Sequence, residues 1–267
     1  MPPDPLTDLA TRLGLEQLDG QYVHGYRADN WLARSNMGIE ATLFSTEVLT
    51  LENPASFVSI RNVPIEALRT WSDVPPLALL PRAQSLVHAH NIRIARDYQR
   101  PLSDLGISAE QANRITRLAE YELAFEEVRR RVSPDAPSRL SCIYLAEDTI
   151  DGRNYASQMA TIEGFVLTVR VPLAIRSARL DARWLGSSLD IPADDRIRGY
   201  WSGEAMSGGD PVWEWLVDGV IRCVDPEEFL RVRRYNASAG DVVTIAAMSA
   251  DLDARLHDIF RDESDLS

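Results

Sequence analysis

Ile143-Tyr-Leu-Ala-Glu-Asp-Thr-Ile-Asp-Gly-Arg-Asn-Tyr155 is the stretch from which the fold of this chain is read. It opens as a strand, with Cys142, Tyr144 and Ala146 on one face and Ile143 and Leu145 on the other, and breaks at an acidic turn. Asp148 or Asp151 is the candidate N-cap of a helix after that turn, on which Tyr155, Met159 and Ile162 fall at helical spacing. A strand-end tyrosine and a helix-start tyrosine thus face each other across a short turn, and two such rings make a slot for a flat aromatic ligand. Read alone, the pair is equally one core residue and one rim residue; the rest of the chain decides.

The 267 residues, 45% of them hydrophobic, suit a single domain spanning 1–267 with a sizeable core. The longest uncharged runs, such as Val74 to Pro81 and Val242 to Ala250, are far short of a bilayer span. Met1-Pro-Pro-Asp-Pro5 has neither a basic n-region nor an apolar h-region. The expected location is cytoplasmic, or inside a host cell reached without a cleavable signal peptide. Cys142 and Cys223 sit in apolar, strand-like surroundings and read as buried thiols. His88 and His90 point to different faces of a helix and no cluster completes a site, so no metal is expected.

A formal charge of −12 disfavours a broad grip on phosphate backbones. The densest basic run, Arg129-Arg130-Arg131, reads as a solvated helix end. All 28 basic residues are arginine. A GC-rich genome accounts for most of that; the alternative is selection against lysine modification, by a host cell or by the protein itself.

In chain order, Asp8 to Leu18 reads as a helix ending at Gly20, and Gln21 to Tyr26 as a strand carrying His24 and then Gly25. A glycine there lets the backbone approach a ligand that no side chain would tolerate. Asn30 caps a short helix, Trp31 to Asn36, that Gly38 stops; Ile39 to Phe44 and Phe57 to Ile60 read as strands. Asn62 and Pro64 start a helix reaching Trp71. Residues 82–132 form a helical insertion, with a capping box at Ser108-Ala-Glu-Gln111 opening its long second helix. Gly164 to Val171 is a strand, 186–210 a loop, and Val212 to Val217, Val220 to Val224 and Phe229 to Tyr235 are further strands. An amphipathic helix with Leu252, Leu256, Ile259 and Phe260 ends the chain. Within Val212 to Val217, Glu214 shares the apolar face with Val212 and Leu216, a costly place for a carboxylate that nothing uses.

His24-Gly25, Tyr144 with Tyr155, and Glu214 resemble, in that order, the histidine-tyrosine-glutamate branch of the ADP-ribosyltransferases, the group of poly(ADP-ribose) polymerases and diphtheria-type toxins. The similarity extends to Asn30 and Gly38 after the histidine, to Ile143-Tyr-Leu-Ala-Glu147 with Asn154-Tyr155 beyond it, and to Glu214-Trp-Leu-Val-Asp218. It covers about residues 21–44 and 140–235; the insertion is extra, and Gly152 stands where relatives carry a small hydroxylic residue.

The resemblance implies an α+β fold, a split β-sandwich with an NAD cleft, and NAD as co-substrate. It implies that Gly25 holds the nicotinamide carboxamide and His24 the adenosine ribose, that Tyr144 and Tyr155 sandwich the nicotinamide, and that Asn30 belongs to the binding set. It makes His24, Tyr144 and Glu214 the catalytic group, with Glu214 bonding the nicotinamide-ribose 2′-hydroxyl. The expected activity is mono-ADP-ribosyl transfer to a macromolecular acceptor by a bacterial toxin or effector. A protein acceptor is preferred to nucleic acid, and the insertion either recognises it or covers the cleft. Nucleic-acid modification in a toxin–antitoxin or phage-defence setting, NAD hydrolysis and a non-catalytic NAD-binding module are the alternatives. An antitoxin or host protein is a possible partner.

Overall fold

The computed structural model of the chain describes residues 5–27, 33–34, 37–38, 41–52, 54, 58–71, 82–160, 165–186 and 190–238. Expectations for Asn30, Trp31 to Asn36 in the main, Phe57, Ile162 and the C-terminal helix fall outside them.

Helix α1 (Pro5–Leu13) leads into strand β1 (Glu16–Gly25). The expected helix from Asp8 to Leu18 therefore ends early, at a left-handed Gly14 (φ 63), and the glycine read as its stop, Gly20, lies inside the strand where the register slips. Strand β2 (Thr42–Phe44) and helix α2 (Thr46–Glu52) come next. The segment expected as a strand up to Ile60 instead enters a 3-10 turn, Ile60–Asn62, because the Ser59 hydroxyl accepts the Arg61 N–H. Helix α3 (Ile65–Thr70) ends at a left-handed Trp71.

Residues 82–132 are helical, as their pattern predicts, in α4 (Ala83–Asp97) and α5 (Ala109–Val132). Both bonds of the Ser108/Gln111 capping box are formed. The arginine run at the end of α5 is not a solvated surface, however. Arg129, 1% exposed, forks onto Glu126 and donates to the Pro134 and Ala136 carbonyls. Arg130 binds Glu126 and the Ile60 and Val63 carbonyls, so of the three Arg129 ties the helix end to the segment that follows it and Arg130 ties it to the approach to α3.

Strand β3 (Ile143–Glu147) turns into helix α6 (Ile150–Met159), whose N-cap is Thr149, accepting the Gly152 N–H, rather than Asp148 or Asp151. Strand β4 (Val166–Asp181) continues far beyond Val171; Pro172 sits at a register slip against its neighbour, where a missing N–H breaks no ladder bond. The stretch 186–210 is not wholly loop: it holds helix α7 (Asp194–Trp201), with Asp194 and Asp195 in its first turn and Ile197, Tyr200 and Trp201 buried at helical spacing. The two short strands expected at Val212 to Val217 and Val220 to Val224 are one, β5 (Trp213–Cys223), running through Asp218 and Gly219. The last expected strand, Phe229 to Tyr235, is helix α8 (Pro226–Ser238), started by Asp225 accepting the Glu227 and Glu228 N–H groups.

The fold is α+β. Its antiparallel sheet runs β2-β5-β3-β1-β4, and β4 also pairs with β5, so β1, β3, β5 and β4 close into a circuit. One apolar cluster, with Leu18, Ile143, Leu145, Leu167, Val169, Val217 and Ile221, takes in Val232 of α8. A second holds Leu216 and Leu180 with Tyr121, Phe125, Tyr200 and Trp201, so α5 and α7 cover the sheet face that carries Tyr144. Among the described residues no helix is long and apolar enough to cross a membrane.

Candidate functional site

Alternation along β5 puts Glu214, Leu216 and Asp218 on the buried face and leaves Trp213 and Trp215 half-buried on the other, as the pattern predicts. Glu214 pairs with Ala146 of β3, which in turn pairs with Val23 of β1, and Tyr144 stands one same-face step along from Ala146. The register of three adjacent strands therefore brings His24, Tyr144 and Glu214 together.

His24 closes β1 with Nδ1 2.9 Å from the Tyr144 carbonyl oxygen. Burial lowers its pKa below the ordinary histidine value, against the opposing carbonyl bond, so the ring is neutral at pH 7 with Nδ1 protonated and Nε2 an acceptor. Tyr144 donates its hydroxyl to the Arg139 carbonyl at 2.5 Å. Tyr155, on α6, donates to Glu214 Oε2 at 2.7 Å. Burial holds both phenols well above the ordinary tyrosine value and therefore neutral; Glu214 adds to the effect at Tyr155.

The residues that complete this site were not legible in the sequence. Tyr200 of α7 donates to Glu214 Oε1 at 2.6 Å. Arg139 reaches the same oxygen at 3.3 Å and the Tyr200 hydroxyl at 2.7 Å, and also binds Glu122 of α5 through Nε at 3.1 Å. Glu122 in turn holds Arg82. Glu122 and Glu214 are 0% exposed and Arg139 is 2% exposed, so this is an interior network in which each carboxylate has donors on both oxygens. Burial pushes Glu122 upward, but Arg139 and Arg82 together hold it below the usual carboxylate range. The spacing of Ile197, Tyr200 and Trp201 was the one local sign of Tyr200's inward position; Arg82, Glu122 and Arg139 carry no such sign.

A cleft of about 370 Å³ opens beside the network, with His24, Gly25 and Tyr144 in its wall together with Arg27, Arg82, Arg139 and Glu122. That volume is in the range of small-molecule sites. Two expectations change. The Tyr144 face assigned to a sandwiched ring carries the guanidinium of Arg82, 3.9 Å from the ring centroid. Glu214 is fully buried, with Tyr144 and Arg139 in the cleft wall. Asn30 lies outside the described residues.

The glycines have packing reasons of their own. A Cβ on Gly25 would lie 2.3 Å from the Ala156 carbonyl oxygen, and one on Gly152 would lie 1.9 Å from that of Glu147. The absence of a hydroxylic side chain at 152 is explained by how tightly α6 seats on the end of β3. Gly152→Ser is expected to lower stability by about 1–3 kcal/mol, read as a shifted denaturant midpoint at unchanged slope.

Asp218, two residues beyond Leu216, is 0% exposed, and neither of its oxygens has a hydrogen-bond partner among the described residues; Arg176 Nη1 is 3.8 Å away. Burial and then Glu47 push its carboxyl up to about 7, against Arg176, Arg61 and Arg129. Because the folded value exceeds the unfolded one, its contribution is fully present below about pH 4 and declines as pH rises toward about 7. Asp218→Asn is expected to melt higher than the native protein at pH 8, by roughly 1–3 kcal/mol, and to lose that advantage near pH 4.

Residues 86–229, just over half of the chain, match the family described as "Protein of unknown function (DUF2441)", and the chain belongs to that family. The matched stretch runs unbroken through α5, α7 and β5, so Glu122, Arg139, Tyr144, Tyr155, Tyr200 and Glu214 fall within it while His24 and Arg82 precede it. A search of curated proteins finds no match.

Proposed function

We propose that this member of the DUF2441 family is a mono-ADP-ribosyltransferase that moves ADP-ribose from NAD to a macromolecular acceptor, in the manner of a bacterial toxin or effector. The observation that carries the reading is the contact among the motif residues. His24 touches the Tyr144 backbone from 120 positions away, and Tyr155 bonds Glu214, on neighbouring strands and the helix next in the chain. The strand circuit is compatible with the split β-sandwich of that superfamily.

Two features of the cleft agree with NAD. Its wall carries three arginines against one carboxylate, Glu122, a local positive excess in a chain of formal charge −12 that suits a pyrophosphate. The face of Tyr144 already takes one flat cation, the Arg82 guanidinium; the nicotinamide of NAD is another, and Arg82 withdraws to admit it. In the reaction the bond between ribose C1′ and the nicotinamide nitrogen breaks and its electron pair leaves with neutral nicotinamide. The acceptor's nucleophilic atom bonds C1′ and loses its proton. Glu214 does not line the cleft in this structure, so its role calls for the same rearrangement that moves Arg82; by accepting the 2′-hydroxyl hydrogen it then stabilises the positive charge that builds on the ribose. His24 Nε2 is the acceptor for an adenosine-ribose hydroxyl. A protein acceptor is preferred because the formal charge of −12 disfavours a broad grip on phosphate backbones, and two arginines of the densest basic run, Arg129 and Arg130, are engaged inside the fold.

The test is incubation of the purified protein with labelled NAD, alone and with cell lysate, monitoring nicotinamide release and label on protein and nucleic acid separately. Transfer to protein is expected. Label on nucleic acid would name the other acceptor class, release without transfer would make the protein an NAD glycohydrolase, and NAD binding without turnover would leave a binding module. Neither binding nor turnover would overturn the reading.

A further inference from the structure

We propose that Tyr200, backed by Arg139, is a positioning residue that pins one oxygen of Glu214 so that the other is presented to the substrate ribose; this rests on the reading of Glu214 given above. Hydrogen-bond direction forces the arrangement. Arginine only donates, so the Tyr200 oxygen accepts from Arg139 Nη1 at 2.7 Å. The single phenolic hydrogen is then left for Glu214 Oε1, 2.6 Å away. The chain from Arg139 through Tyr200 to Glu214 is polarised in one sense, each bond strengthening the next.

The two sides of the carboxylate differ in how firmly they are held. Tyr200 is 0% exposed, its ring edge-on to Phe125 at 5.4 Å and to Trp201 at 4.9 Å. Trp201 is itself tied to the Phe125 carbonyl at 2.9 Å. On the other side, Oε2 takes a neutral donor from Tyr155, which is only half-buried where Tyr200 is fully enclosed. A glutamate carboxylate rotates broadly about its last torsion, so a fixed reaction geometry needs one oxygen anchored. Oε1 is the anchored oxygen. Oε2 is the working one, which Tyr155 holds and which the ribose 2′-hydroxyl takes over.

Tyr200→Phe removes one hydroxyl and keeps the ring packing. Steady-state kinetics of nicotinamide release, with a thermal melt alongside, test it. The expected result is a kcat lower by roughly 10–100-fold, the usual effect of losing a supporting hydrogen bond behind a reacting group, with the KM for NAD within about twofold and the fold retained. In a Glu214→Ala background the same substitution is expected to leave the residual rate unchanged, because the residue it positions is gone. A purely structural tyrosine would slow both backgrounds alike, and that result, or an unchanged kcat in the single variant, would overturn the proposal while leaving the NAD reading intact. A native protein that neither binds nor turns over NAD would remove the reading itself and this proposal with it.

Discussion

Glu214→Ala is expected to lower NAD turnover by about 10²–10³-fold, the usual consequence of removing a group aimed at charge that develops in the transition state. The effect belongs in kcat rather than KM, because the charge on the ribose appears only as the nicotinamide bond stretches. The fold should survive. Arg139 keeps both oxygens of Glu122, and Tyr155 and Tyr200 lose an acceptor rather than being left as buried charges. Rates of nicotinamide release for native and variant protein, each checked by its melting curve, measure it. Turnover of the variant within a few-fold of native would exclude Glu214 as the charge-stabilising group.

Arg139→Ala carries the largest expected effect on stability, about 3–5 kcal/mol, because it leaves two buried carboxylates short of their shared cation. At roughly 2–4 °C per kcal/mol for a domain of this size, the midpoint of thermal unfolding falls by roughly 6–20 °C. Arg139→Lys keeps the charge but not the fork, and an intermediate loss is expected. The penalty also depends on pH. Held low by Arg139 and Arg82 against its burial, Glu122 contributes stability that is present above the ordinary glutamate value and lost as pH falls through its lowered one. The gap between native and Arg139→Ala should therefore be widest near neutrality and narrow on acidification. A gap that stays constant from pH 7 to well below the ordinary glutamate value of about 4.3 would show that lost packing of the arginine, rather than stranded charge, accounts for the loss.

These two expectations involve one buried network, and its halves were unequally legible. Glu214 was readable because a strand alternates: a carboxylate between Val212 and Leu216 announces a buried charge with no need to know its partners. Tyr144 and Tyr155 were readable for the same local reason, a strand that turns into a helix at a known spacing. Arg139 sits in a turn between elements, where nothing periodic marks it, and Glu122 lies on a helix rich in other charges. Their pairing joins α5, the turn before β3 and β5, and only packing brings those together.

The misread elements have similar causes. Phe229 to Tyr235 mixes aromatic and branched residues and reads as a strand, yet Asp225-Pro226-Glu227-Glu228 is a helix start. The strands expected to end at Val171 and Val217 run on through Pro172 and Gly219, because the register slips near them let the ladder absorb the irregularity.

What the sequence determined by itself was local: the β3–α6 junction, the capping box of α5, the alternation that buries Glu214, and the motif set that suggests NAD. What tertiary structure alone decided was which groups meet. α5 and α7 close over that face of the sheet, Arg82 lies on Tyr144, and Tyr200 and Arg139 hold Glu214. The physical reason is range: periodicity and capping act within a few residues, whereas a buried carboxylate takes its donors from wherever the chain folds back, and such pairings leave no mark on the residues between.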